Sequence, residues 1–181
     1  MGYKTGIRLW KLEPPESNDF NVPTPIQIAQ QLFVATENNG ARLYAFDDKG
    51  LIKSKPVAKF DDLAPDTHTP VVVDDRIFGI ADALFCLSTK DLKQMWISED
   101  EVFQQYGSII GSDHRALVTT LDGQLILFNT EGKEYKEISR LKLAPDESIE
   151  VHAHPAIVGK HLYLRVGKKL KKMSLDTKKA K

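Results

Sequence analysis

The feature that most constrains the fold of this chain is a short module that occurs four times along it. Each module contains an apolar segment, a polar turn of two or three residues and a second apolar segment. The four modules lie at residues 24–36, 69–81, 107–120 and 154–166. The steps between matching positions are 45, 39 and 46 residues, measured in turn between Pro25, Pro70, Ile109 and Pro155. This spacing is the length of one four-stranded antiparallel blade, so the sequence predicts a protein built from repeated blades.

Further β-strands are predicted after each module. Third-strand segments lie at residues 41–50, 83–91, 123–132 and 168–176. The first three are rich in β-forming residues and end in residues that favour turns. Fourth-strand segments follow the first three modules, at residues 51–60, 92–98 and 134–143. The last module has no predicted fourth strand.

Apolar residues occupy both faces of several predicted strands. In the segment LFCL, Leu84 and Cys86 point to one side of the sheet, and Phe85 and Leu87 point to the other. A sheet that is apolar on both faces must be covered on both, and no segment of useful length has helical periodicity. The cover is therefore predicted to be another sheet. We expect an all-β fold, a β-propeller of four-stranded antiparallel blades with about four blades in this chain.

The strand count gives a predicted organisation for the whole chain. A single domain is predicted over residues 1–177, with blades at about 22–66, 67–105, 106–151 and 152–177, followed by a Lys-rich tail at 178–181. A strand at residues 5–13 is predicted to close the last blade, because propellers avoid a free sheet edge. Two arrangements stay open, a small closed propeller and half of a larger ring. The half ring would belong to a longer protein or to a homodimer that pairs two four-blade halves.

The segment LFCLSTKDLKQMW, residues 84–96, resembles the repeat of the pyrroloquinoline quinone (PQQ) dehydrogenase-like propellers. The family repeat runs approximately Leu-Tyr-Ala-Leu-Asp-x-x-Thr-Gly-Lys-x-x-Trp, and residues 84–87, Lys93 and Trp96 match it here. Ser88 replaces the Asp, and residues 91–92 replace the Thr-Gly pair. Residues 4–10, KTGIRLW, are similar to the second half of the repeat and end at Trp10. The resemblance implies that Trp10 and Trp96 are structural blade-docking residues, which lie on outer strands and pack between adjacent blades.

The resemblance also implies two alternative functions. Active quinoproteins of this family hold the quinone against a disulfide of adjacent cysteines and bind Ca²⁺ through Glu, Asn and Asp. Cys86 is the only cysteine here, and the acidic clusters at residues 60–66 and 97–101 lack the spacing of a calcium loop and are interpreted as solvated loop charges. We therefore assign no catalytic residue, no cofactor-binding residue and no cofactor.

The expected function is a non-catalytic binding or scaffold module for a protein or a small ligand. The alternative is part of a PQQ- and Ca²⁺-dependent oxidoreductase whose catalytic residues lie outside this chain.

Three histidines are the candidates for a binding site. If the segment VHAHP at residues 151–155 is a strand, His152 and His154 face the same side, a spacing compatible with Zn²⁺ or Cu²⁺ once His161 or His68 supplies a third ligand. Such pairs are more often edge residues without a metal, so no metal site is assigned. Because the first strand of a blade lines the central channel, His68, His152 and His154 are expected near the channel mouth.

Composition argues against several classes of partner. The chain has 25 Lys+Arg and 25 Asp+Glu, so it offers no broad basic face for nucleic acid. It contains no apolar run long enough for a membrane span and no apolar core of a signal peptide, so neither is expected. The lysines of residues 168–181 are interpreted as a solvated tail. Related propellers are assembly scaffolds at bacterial outer membranes, so the resemblance implies an extracytoplasmic protein.

Overall fold

The fold is all-β in the computed structural model, which describes residues 4–143 and 149–176. Its strands form four antiparallel sheets, three with four strands and the last with three. The strands of the first two sheets are β1 (Ile26–Ile28), β2 (Gln31–Thr36), β3 (Gly40–Ala45), β4 (Ala58–Phe60), β5 (Val71–Val73), β6 (Arg76–Ile80), β7 (Leu84–Ser88) and β8 (Gln94–Ser98). A 3-10 helix, Glu101–Phe103, follows β8. The strands of the last two sheets are β9 (Gly107–Ser112), β10 (Arg115–Thr120), β11 (Gln124–Asn129), β12 (Glu137–Lys142), β13 (Ala156–Val158), β14 (His161–Val166) and β15 (Lys169–Ser174).

Equivalent two-residue turns fix the common register of the four blades. The first and second strands end in the pairs Ile28↔Gln31, Val73↔Arg76, Ser112↔Arg115 and Val158↔His161. Each turn contains one residue with positive φ, namely Ala29, Asp74, His114 and Gly159. Positive φ at the first turn residue, as at Ala29, Asp74 and Gly159, is a feature of the hairpin turns that match the twist of the flanking strands, whereas in the third blade it falls on the second turn residue, His114. Pro25, Pro70, Ile109 and Pro155 therefore occupy the same place in each blade, three residues before the end of the first strand.

Successive sheets pack face to face, and an apolar cluster fills each seam between them. The first and second blades share a cluster that includes Phe33, Leu43, Ile77 and Leu87. The second and third blades share one that includes Phe78, Trp96, Val118 and Phe128, and the third and fourth share one that includes Leu125, Leu143, Leu162 and Leu164. In β7 of the second sheet both faces are buried, as the apolar residues 84–87 predict. The predicted all-β propeller with four blades is confirmed.

The acidic connectors between blades are fixed to the sheets. The Asp61 carboxylate lies 2.8 Å from Nη2 of Arg42, and the Asp100 carboxylate lies 2.6 Å from Nη2 of Arg140 in the next blade. The hydrogen bond from Lys59 is the main cause of the lowered pKa of Asp61. At Asp100 burial acts to raise the pKa, but the hydrogen bonds from Arg140 and from the Val102 backbone, together with the Arg140 charge, lower it overall. The acidic clusters at residues 60–66 and 97–101, which the sequence indicated were solvated loop charges, thus include two carboxylates that hold connectors to the sheets, those of Asp61 and Asp100.

The structure does not form the predicted strand at residues 5–13. The fourth sheet has three strands among the described residues, and the N-terminal segment lies against the first blade instead, where Trp10 contacts Phe46 at a ring distance of 6.2 Å. Pro14 and Pro15 offer no N–H to a β-ladder, and Asp19 ties the following residues down. Its carboxylate accepts hydrogen bonds from the Thr36 hydroxyl, the Asn38 backbone and the Asn39 amide at the β2–β3 turn. The predicted closure of the last blade by this segment is therefore corrected.

Candidate functional site

A cavity of about 470 Å³ opens at the end of the first three blades where the connectors run. We call it the connector-face cavity. It lies beside the residues that precede β5 and β9, and beside the turns that follow β2 and β6. Its lining within the described ranges consists of Glu37, Ala64, Pro65, Asp66, His68, Ile80, Ala81, Asp82, Gln104, Gln105, Tyr106 and Gly107.

Gly107 lets two blades meet closely beside this cavity. A Cβ at Gly107 would lie 2.7 Å from Cδ1 of Ile80, so a larger residue would require the Ile80 side chain to shift. His68 occupies the equivalent position in the preceding blade, since His68 lies two residues before Pro70 as Gly107 lies two residues before Ile109. The local sequence thus places an imidazole beside a gap that a glycine keeps narrow.

His68 is a buried, neutral group in the wall of the cavity. Its side chain is 2% exposed, and neither ring nitrogen has a hydrogen-bond partner of good geometry among the described residues. Burial, with a smaller contribution from the nearby His154, lowers the pKa of His68 to about 4, while the close backbone of Gly107 and the charge of Asp66 act weakly in the opposite direction. At neutral pH the ring therefore adds no positive charge to the cavity.

Tyr106 links the cavity to the histidines that precede the fourth blade. Its hydroxyl donates a hydrogen bond of 3.2 Å to the backbone oxygen of His152, and the two rings lie 5.5 Å apart. Burial, followed by the negative charge of Asp66, raises the pKa of Tyr106. Nε2 of His152 lies 3.1 Å from Glu150. The structure thus brings His68, Tyr106 and His152 to one end of the propeller.

The charge of the connector-face cavity is negative. Glu37, Asp66 and Asp82 line it, whereas no lysine or arginine does so within the described ranges. The side chains of Glu37 and Asp82 have no hydrogen bond or ion pair among the described residues, and Asp66 bonds only to its neighbour Thr67. Their carboxylate oxygens can accept hydrogen bonds from a cation.

The cavity does not fit the quinone that the resemblance suggested. That quinone carries three carboxyl groups, so its binding requires positive charge, and the lining supplies carboxylates instead. Cys86 is buried in the seam between the second and third blades, and burial raises the pKa of its thiol to about 12. No group of three or more His, Cys, Asp or Glu side chains that could hold a metal ion occurs within residues 4–143 and 149–176.

The predicted site residues have different fates. His68 lines the cavity, and His154 is close enough to affect its charge. Residues 151–155 form no strand, because β13 begins at Ala156, so the expected strand geometry of His152 and His154 is absent. Trp96 lies in the seam between the second and third blades, 6% exposed. Trp10 is 36% exposed, lies outside any strand and covers the first blade.

Sequence reasoning did not identify the acidic lining. Glu37 and Asp82 follow the second strands of consecutive modules, and Asp66 lies in a cluster that was interpreted as solvated. The available signal was positional, since acidic residues follow the same strand in two successive blades. It required knowledge of which turns meet at one end of the propeller.

Comparison with known proteins shows the fold alone. No protein-family model matches the chain, and no curated protein matches it. The solved structure of BamB from Moraxella catarrhalis is similar to it, with a TM-score of 0.56 and 15% identity, over 81% of this chain and 43% of that one. A chain in an S. cerevisiae complex of dbp5 bound to nup159, gle1, IP6 and ADP is similar over 83% of this chain and 44% of that one, with a TM-score of 0.53 and 15% identity.

This chain spans less than half the length of each of these two solved chains. In the part of the chain that the structure describes, no helix has the length and apolar character needed to cross a membrane.

Proposed function

We propose that this chain is a non-catalytic, PQQ-like β-propeller module that binds a partner protein, and that the connector-face cavity receives a lysine or arginine side chain of that partner. The observation that carries this proposal is the convergence of Glu37, Asp66 and Asp82 on a cavity that no cation lines within the described residues. Carboxylates held together without a counter-ion repel one another, so a cationic group that enters gains favourable electrostatic energy from all three.

The remaining lining suits the apolar part of such a side chain. Ala64, Pro65 and Ile80 offer a surface for an alkyl stem, while the carboxylates accept hydrogen bonds from the charged end. A volume of about 470 Å³ lies within the usual range of ligand pockets and leaves room for flanking peptide. The neutral His68 adds no competing charge.

A protein partner also agrees with the location of the cavity and with one structural neighbour. Propellers present connector loops on a rigid frame, and such loops are common binding surfaces. The S. cerevisiae neighbour is a chain of a multi-protein complex. Fold likeness alone does not transmit function, so the acidic cavity carries the argument.

The direct test uses the peptide N-acetyl-Gly-Arg-Gly-amide and a matched peptide with citrulline in place of arginine. Amide chemical shifts of the ¹⁵N-labelled protein are expected to change around Asp66, Asp82 and Tyr106 with the arginine peptide, and little with the uncharged one. The double variant Asp66→Asn/Asp82→Asn should weaken binding at least fivefold. Asp113→Asn, in the exposed β9–β10 turn, makes a similar local change outside the cavity and should leave the affinity unchanged.

Equal chemical-shift changes with the two peptides, or an equal loss of affinity in Asp113→Asn, would refute the proposal that the cavity binds a cationic side chain. The enzyme alternative has its own test, a titration with PQQ and Ca²⁺ followed by absorption. We expect no saturable binding, and stoichiometric binding of the quinone would overturn the non-catalytic assignment.

A further inference from the structure

An apolar cleft of about 400 Å³ separates the third and fourth blades. We call it the interblade cleft. Its lining within the described ranges is Ile110, Gly111, Ser112, Arg115, Ala116, Leu117, Leu125, Leu127, Ser139, Leu141, Ile157, Leu162 and Leu175. Leu141, Ile157 and Leu175 are each at least half exposed, at 54%, 52% and 50%. Apolar surface left open in this way favours a ligand that covers it.

The cleft exists because a serine replaces a tryptophan in the repeat. Trp96 pairs with Cys86 in the second blade, and Ser139 pairs with Leu127 in the third, in each case next to an irregularity between the third and fourth strands. The two residues therefore occupy equivalent positions. Trp96 fills the seam between the second and third blades, whereas Ser139 leaves the corresponding space empty of side chain.

The partners of the missing ring are also reduced in size. Trp96 lies 5.7 Å from the ring of Phe78 and 6.1 Å from that of Phe128. Phe128 pairs with Ala116, and Met173 holds the equivalent place beside Leu162 in the fourth blade. One seam is thus closed by aromatic rings in tilted and edge-to-face contact, while the next is lined by aliphatic side chains around a space suited to a flat ring.

Arg115 gives the cleft a single charge. It lines the cleft, it is exposed, and its guanidinium has no hydrogen bond or ion pair among the described residues. No carboxylate lines the cleft within those residues. An apolar pocket with one convergent cation is complementary to an anion attached to an apolar body.

We propose that the interblade cleft binds a small aromatic carboxylate, with its ring in the space equivalent to that of the Trp96 indole and its carboxylate on Arg115. The argument for the ring is the equivalence of Ser139 and Trp96, and the argument for the carboxylate is the unpaired guanidinium. This proposal does not rest on the connector-face cavity, whose carboxylates would repel the same anionic ligand.

The experiment uses indole-3-propionate as the probe, with isothermal titration calorimetry for affinity and ¹⁵N amide shifts for location. We expect saturable binding that shifts residues around Leu117, Leu127 and Ile157. Ser139→Trp places the protein's own ring in the cleft and should lower the affinity at least tenfold. Ser139→Ala leaves the space open, and its affinity should stay within twofold of that of the wild type.

A second variant tests the charge without filling the cleft. Arg115→Gln should weaken indole-3-propionate about tenfold, since hydrogen bonds to charged groups contribute that much, and should leave the binding of neutral 3-methylindole within twofold. The proposal is overturned if no saturable binding occurs up to about 5 mM indole-3-propionate, a concentration above the dissociation constants of weak complexes. Amide shift changes confined to another region of the protein would also overturn it. Equal affinity in wild type and Arg115→Gln would also overturn it. Asp66→Asn/Asp82→Asn should not weaken the probe, which separates this result from the test of the connector-face cavity.

Discussion

Truncation of the Trp96 side chain is expected to destabilise the packing between the second and third blades, and to lower the free energy of unfolding more than truncation of Trp10 does. The indole is 6% exposed and contacts the rings of Phe78, Phe128 and Tyr135 at 5.7, 6.1 and 6.0 Å. It joins aromatic residues of both blades, so its loss removes contacts within one sheet and between two.

The magnitude follows from the buried area. A tryptophan buries roughly 150–250 Å², and at about 25 cal/mol per Å² this corresponds to about 4–6 kcal/mol. Extended-chain references overestimate such values, and aromatic-to-alanine changes in protein cores cost about 3–5 kcal/mol. We therefore expect Trp96→Ala to lower the free energy of unfolding by about 3–5 kcal/mol. Trp96→Phe should cost less, because it keeps a ring and removes an indole N–H that has no hydrogen-bond partner among the described residues.

Urea unfolding followed by far-UV circular dichroism measures this effect without depending on tryptophan emission. Trp10→Ala is the matched control, because Trp10 is 36% exposed and contacts one ring, that of Phe46. Its loss should cost less than about 1 kcal/mol. Equal destabilisation by the two truncations, or a loss below about 1 kcal/mol in Trp96→Ala, would refute the claim that this ring closes the seam.

Three further outcomes are expected from the contacts described. Gly40→Ala should cost at least about 2 kcal/mol in urea unfolding, because Gly40 has φ +60° and its added Cβ would lie 2.5 Å from a backbone oxygen. Gly50→Ala, with φ +73° and open space, should cost only about 1 kcal/mol, and the reverse order would contradict this steric reasoning. Since the pKa of His68 is lowered from 6.5 to about 4, its contribution to stability is complete above pH 6.5 and is lost as the pH falls towards 4. The thermal midpoint should therefore fall less between pH 7 and pH 4.5 in His68→Leu than in the wild type, and parallel profiles would show that the ring is not the cause. A double-mutant cycle on Asp100 and Arg140 should give about 0.5–1 kcal/mol at low salt and less in 1 M NaCl, whereas a salt-independent value would argue against an ion pair.

The architecture was predictable because it depends on local repetition. Apolar segments joined by short polar turns define antiparallel pairs, and their recurrence defines blades before any long-range contact is known. Trp96 follows the same logic, since its blade carries the most complete copy of the family repeat. The fourth strand of the first blade was less predictable, because Pro56 interrupts residues 51–60 and β4 occupies only Ala58–Phe60.

The errors arose where distant parts of the chain decide the outcome. Residues 4–10 carry a local motif of an outer strand, but Asp19 and its partners at the β2–β3 turn hold the N-terminal segment to the first blade. Ser139 was also hidden, because it lies 12 residues after Leu127, whereas Trp96 lies 10 residues after Cys86. A fixed motif spacing does not align these residues, and only the strand register shows that they correspond.

The seam between the third and fourth blades is packed less tightly than the seam between the second and third, so the blades are expected to differ in how readily they unfold separately. In an array of stacked repeats, each unit is stabilised by its neighbours, and the weakest boundary sets the smallest unit that can open by itself. Among the described residues, the boundary at Ser139 lacks the cluster of aromatic rings that surrounds Trp96, and the sheet beyond it has three strands. We therefore expect the C-terminal sheet to be the smallest unit that opens by itself, with amide protons of β14 and β15 exchanging with solvent while those of the central strands β6, β7 and β10 stay protected.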